Sequence, residues 1–193
     1  ATHTHSAPST MDYCLGTMAD PAYTEFLPPK IAAGIAQAHA KLQPARLGWA
    51  QVRAPGFTHC RRWITRPDKM QADPFGKTTV RAMMHPGYQN PEYIGPCGPS
   101  DPEVSVLAVH GLDGKPMALL ANYSMHYFGA GPISADYYGD FVRIVSKRLA
   151  DGDPSFVAMM SHGTSGDQQW QDYANPRKSI SRFDYATGVA NAA

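Results

Sequence analysis

Residues 103–126 read EVSVLAVHGLDGKPMALLANYSMH, two apolar runs joined by Leu-Asp-Gly-Lys. The Asp-Gly pair supplies the positive φ that a tight connection between antiparallel strands needs, so this segment is a hairpin ending at His126. Helical and extended patterns alternate around it. DPAYTEFLPPKIAAGIAQAHAKL carries Phe26, Ile31, Ile35, Ala38 and Leu42 at near-helical spacing and is stopped by Pro44. ARLGWAQVRA follows as a short strand. SADYYGDFVRIVSKRL reads as a helix with Phe141, Ile144, Val145 and Leu149 on its apolar stripe, Ser134 or Asp136 as N-cap, and Lys147 and Arg148 in its last turn. PSFVAMMSHGTSGDQQW gives a buried strand running into a glycine-containing turn. The fold class is α/β, with layered sheets and flanking helices.

With 193 residues and 43% hydrophobic content, the chain builds one core of ordinary size, as one domain or part of a larger one. Seventeen Lys and Arg against 16 Asp and Glu leave a net charge of +1. No run of like charge tracks a phosphate backbone or an anionic membrane, which argues against nucleic acid as a partner. No stretch of about 18 apolar residues suggests a membrane span. Cys14, Cys60 and Cys97 are widely spaced without a CxxC, leaving one bridge plus a free thiol as an option. Residues 54–102 are rich in proline and poor in periodicity, which predicts a long ordered loop or cover.

Chemistry-bearing residues cluster where these elements end. The chain begins ATHTHSAPST, and in an extended segment His3 and His5 project to one face. His126 and His162 each close a strand and precede a glycine-containing loop, where open α/β sheets place reactive groups. Two histidines do not complete a zinc site, since at least a third protein ligand is needed. His39, His59, His85 and His110 are read as surface or hydrogen-bonding residues, Asp136 as a helix cap and Asp167 as a turn residue.

ATHTHSAPST resembles the THTHSGP motif of the neutral/alkaline non-lysosomal ceramidases. ANYSMH is similar to their Asn-containing strand ending in histidine, ISADYYGDF to their Ser-Asp-x-x-Gly helix start, and SHGTSGDQ to their Ala-Gly-Asp turn. The resemblance implies that residues 1–193 are part of an N-terminal catalytic domain, truncated at both ends. It implies Zn2+ held by His3 and His126, whose nitrogens should converge to common-metal distance. His5 would bind or polarise the scissile amide, and Arg61 in CRRW would stand near the substrate's carbonyl end, with Cys60 in place of the family's asparagine. A glutamate and a tyrosine that complete the family's zinc site would lie beyond Ala193, so the piece alone is expected to be inactive.

One position departs from the pattern. Gln169 stands where the family has a serine proposed as nucleophile or hydrogen-bond partner. A glutamine amide cannot replace an attacking hydroxyl, so the mechanism would rest on metal-activated water. The resemblance therefore implies a zinc-dependent amidohydrolase acting on ceramide or a related N-acyl lipid. It also implies a secreted, periplasmic or cell-surface location and peripheral membrane contact in the full-length protein. The alternatives are a metal-dependent hydrolase of another amide or ester, or a binding module that kept the fold. Trp63, Phe75, Tyr88 and Tyr93 either line an acyl-chain pocket or pack the central loop down.

Overall fold

The structure, a computed structural model, describes residues 3–13 and 16–193. The chain runs α1 (Pro21–Ala40), β1 (Ala45–Arg53), β2 (His59–Cys60), β3 (Arg62–Thr65), a 3-10 turn (Pro67–Lys69), β4 (Gln71–Ala72), β5 (Thr78–Val80), β6 (Ala82–Met84) and β7 (Tyr93–Pro96). It continues through β8 (Glu103–Gly111), β9 (Pro116–Tyr123), α2 (Asp136–Ala150), β10 (Val157–His162), β11 (Gln168–Gln169) and α3 (Arg182–Ala192).

The main sheet has the order β1-β8-β9-β10. The hairpin forms as its sequence demands: β8 and β9 pair antiparallel, with Gly114 at φ +84° in the turn. β10 joins β9 in parallel, with His162 opposite Tyr123. Both strands therefore run out on the same side of the sheet. Period-two alternation selects the core face, and Val104, Leu119, Ala121, Tyr123, Ala158 and Met160 all point into it. β10 is half-buried rather than fully buried as expected, because Val157 and Met159 are 49% and 46% exposed on the opposite face.

Helices α2 and α3 cover the core face, contributing Tyr137, Phe141 and Val145 from one and Tyr185 and Val189 from the other. Asp140 ties the two helices together: its carboxylate, 3% exposed, accepts from Arg182 Nε at 2.6 Å and also pairs with Arg143. Leu149, assigned to the apolar stripe of α2, is 50% exposed.

Helix α1 forms as its spacing predicts but is exposed, and the N-cap reading of α2 fails. Asp20 caps α1 by accepting from Tyr23 N at 3.0 Å, yet no residue of α1 is buried, and Phe26, Ile31, Ile35 and Leu42 are 53–76% exposed. Alanines and prolines spread its apolar character around the circumference, so no single stripe faces the core. The N-cap position of α2 is Ala135, not Ser134 or Asp136, and it makes no side-chain cap bond.

The stretch 54–102 consists of short strands: β2 pairs with β11, β3 with β6 and β7, and β4 with β5. Tyrosine hydroxyls and a threonine bind it to the main body. Tyr123 donates to Ala54 O at 2.9 Å, Tyr185 to Phe57 O at 2.6 Å and Thr58 to Ser124 O at 2.7 Å. Cys60 and Cys97 are free thiols, and Cys14 lies outside the described residues. Among the described residues, no helix is long and apolar enough to cross a membrane.

Candidate metal centre and active site

Four histidines converge beside the carboxyl ends of β9 and β10. Ring centroids lie 4.6 Å apart for His3 and His126, 5.0 Å for His3 and His5, and 5.2 Å for His5 and His126. His162 stacks on His3 at 5.7 Å. One ring nitrogen from each of His3, His5 and His126 falls within 4.8 Å of the others, a spacing that one ion can bridge.

The first segment reaches this place through a bend, not a strand. His3 has φ 51°, a left-handed conformation costly for a side chain of this kind, and residues 5–7 are bent. The alternation rule of an extended strand therefore does not explain why His3 and His5 meet. Anchors to the entry of α2 do: Thr4 Oγ1 donates to Ser134 O and Ser134 N to Ser6 O, both at 3.0 Å.

His126 follows β9 and is 6% exposed. Tyr138 donates its hydroxyl to the His126 carbonyl and, at 3.1 Å, to that of Met125. The ring is set by Ser165, whose carbonyl accepts from His126 Nδ1 at 3.1 Å. Nε2 is thereby left as the donor for a metal, the arrangement by which outer hydrogen bonds orient a ligating imidazole. Ser165 is 3% exposed, and its hydroxyl lies 2.5 Å from His162 Nε2, so one residue orients two histidines. Nothing in its sequence context distinguishes it from a turn serine. Gly163 allows the two strand ends to meet, because a Cβ there would stand 2.4 Å from Ser124 Oγ.

The entry to α2 is held by Asp136, at φ 53° and 2% exposed. Its carboxylate accepts from Phe128 N at 3.0 Å, Gly129 N at 2.9 Å and Tyr137 N at 2.6 Å. It therefore clamps the loop after His126 onto the helix N-terminus, where negative charge is favourable.

Arg61 is 8% exposed, and no carboxylate among the described residues lies within ion-pair distance. Its Nη2 and Nε both donate to Gly166 O, at 2.7 and 3.2 Å. Its positive charge lowers the pKa of His5 and of His126, which places it within electrostatic reach of the cluster. Asp167 touches this region through its backbone, accepting from Arg61 N at 2.7 Å, while its carboxylate lies 3.7 Å from Arg62. Gln169 is 4% exposed in β11, and its amide oxygen is without a hydrogen-bond partner.

The aromatic residues of the central stretch divide. Tyr88 joins Phe57, Trp170 and Tyr185 around a cavity of about 280 Å³, whereas Phe75 is 89% exposed. Trp63 is packed down, donating to Cys60 O at 3.1 Å.

Burial is the leading cause that lowers the pKa of His5, His126 and His162, pushing His126 to about 4. The unfolded chain, with histidines near 6.5, binds more protons than the folded one between these values. Stability is therefore complete above the unfolded pKa and falls as pH drops toward 4. Thermal unfolding of the metal-free protein should show a midpoint that declines between about pH 7 and pH 4.5, with a shallower slope in His126→Gln. A flat midpoint would contradict the burial of neutral imidazoles.

No protein-family model matches the chain, and no curated protein matches it. Among solved structures, neutral ceramidase from Pseudomonas aeruginosa superposes with a TM-score of 0.53 at 18% identity, over 84% of this chain and 23% of that one. A ceramidase complexed with C2 gives 0.43 at 19% identity, over 70% and 18% of the two chains. The chain thus spans less than a quarter of the length of either. The mixed arrangement of sheets and flanking helices described above is the fold of a part of neutral ceramidase.

Proposed function

We propose that this protein is a metal-dependent hydrolase cleaving the N-acyl amide of ceramide or a related lipid. The observation that carries the reading is the convergence of three imidazole nitrogens within 4.8 Å, within electrostatic reach of a buried guanidinium that has no carboxylate partner among the described residues. Imidazole nitrogens suit zinc, and a zinc ion held by His3 and His126 would supply a Lewis acid and a water with a pKa near 7.

The chain's own residues carry the remaining work. His3 and His126 are the ligands, His126 being held by Ser165 with Nε2 free. His5 reaches the same point, and its ring is fixed face to face on Tyr127 at 3.9 Å. Its role is to donate to the amide oxygen as charge develops there. Beside the neutral His5, Arg61 offers a second donor, this one cationic, to that oxygen or to the carboxylate that forms when the amide is broken.

The test is metal analysis of the full-length protein together with hydrolysis of a fluorescent N-acyl sphingosine before and after chelation. About one zinc ion per chain, with activity lost on chelation and restored by zinc, is the expected result. Metal-free protein with full activity, or zinc-loaded protein that cleaves no N-acyl amide, would overturn it.

A further inference from the structure

The guanidinium of Arg61 is gripped from a second side by residues that the sequence does not connect to it. Arg61 Nη1 lies 3.4 Å from His85 Nε2, His85 Nδ1 lies 2.6 Å from the Tyr173 hydroxyl, and that hydroxyl lies 3.1 Å from Gln171 Oε1. The directions of these bonds follow from the chemistry at the two ends. A guanidinium only donates, so His85 Nε2 accepts, and the proton of the neutral ring sits on Nδ1. The Tyr173 oxygen accepts that proton's hydrogen bond, and its own O–H donates to Gln171. All three bonds run one way, from Arg61 to Gln171, and they hold His85 in a single tautomer.

Main-chain contacts reinforce the grip. His85 N donates to Arg61 O at 2.9 Å, and Gln89 N to Tyr173 O at 2.9 Å. His85 itself has φ 57°, an uncommon conformation for a residue with a side chain, so the surrounding structure must hold it there. Tyr173 is 4% exposed and packs against Tyr88 at 5.3 Å between centroids. A guanidinium carries five N–H groups, and the bonds to Gly166 and His85 engage three of them. One N–H on Nη1 and one on Nη2 remain for a substrate, a fork of the kind that pairs with a carbonyl or carboxylate.

We propose that His85, fixed by Tyr173, is a positioning residue that aims the Arg61 fork at the substrate's carbonyl end. This rests on the amide-hydrolase reading. The pair touches neither the substrate nor the metal and acts through Arg61 alone. Glutamine at position 85 offers an amide oxygen near where Nε2 stands, so His85→Gln keeps the acceptor, whereas His85→Phe keeps the ring and removes it.

The experiment compares wild type, His85→Gln, His85→Phe, Arg61→Ala and the His85→Phe/Arg61→Ala double variant in the full-length protein. Metal content and hydrolysis of a fluorescent N-acyl sphingosine are measured for each. His85→Phe should retain its metal and lose about 10- to 100-fold in kcat/KM, the scale of a misplaced positioning group. His85→Gln should stay within about threefold of wild type, and the double variant should be no worse than Arg61→Ala beyond about twofold. Additive losses in the double variant, or equal damage from Gln and Phe, would overturn the proposal.

A second readout does not need turnover. Hydrogen exchange of the Arg61 Nε–H, followed by 15N NMR, should be at least about tenfold faster in His85→Phe than in wild type or His85→Gln. If no N-acyl amide is hydrolysed, the functional reading fails and the exchange rates still decide the positioning. Equal rates in all three proteins would refute it.

Discussion

On the proposed metal-hydrolase reading, His126→Ala is expected to abolish metal binding and to lower N-acyl amide hydrolysis by a thousandfold or more, to the order of magnitude seen when a central catalytic group is removed. The residue combines burial, a carbonyl-held Nδ1 and a ring that meets those of His3 and His5. His3→Ala should behave the same way. His5→Ala separates the roles: it should keep the metal while losing on the order of 10² to 10³ in rate, as expected for one lost donor to a developing oxyanion. Metal analysis of the three purified variants beside their kcat values makes the comparison. Loss of metal in His5→Ala equal to that in His126→Ala would make His5 a third ligand, and unchanged activity in His5→Ala would remove it from the mechanism.

Asp136→Ala is expected to cost about 3 kcal/mol or more of stability, which in a chain of this size lowers the thermal midpoint by roughly 6 to 12 °C. The carboxylate accepts three backbone N–H groups at 2.6–3.0 Å in a site that is 2% exposed, and alanine leaves all three without an acceptor. Alanine also pays for the φ of 53°, which glycine does not. Asp136→Gly should therefore lose the clamp yet be more stable than Asp136→Ala by about 1 kcal/mol. Two of the three bonds hold Phe128 and Gly129, just after His126, so metal affinity should fall together with stability. Calorimetric unfolding and a metal titration test both effects. A midpoint within about 2 °C of wild type would show that the clamp contributes little.

The parts of the molecule readable along the chain are those whose causes are local. Two apolar runs and an Asp-Gly pair placed β8 and β9, near-helical apolar spacing placed α1, and the apolar spacing of Phe141 and Val145 placed the buried face of α2. His126 and His162 were legible as histidines that close strands, because strand termini can be read from short windows, whereas the extended reading of the segment holding His3 and His5 was wrong about its backbone. Spacing in sequence said nothing about contacts made across the fold. Thr4 meets Ser134 over 130 positions, and His85 meets Tyr173 over 88. His85 looked like a lone loop residue because both of its partners arrive from other elements, and Ser165 and the buried tyrosines were silent for the same reason. The exposed α1 shows the converse limit: near-helical spacing of Phe26, Ile31 and Ile35 specifies a helix, while burial depends on a facing surface that only tertiary packing supplies. Local chemistry chose the elements and brought histidines to their ends; the parallel pairing of β9 with β10, and the clamps that pull a bent first segment onto α2, decided that those histidines share one site.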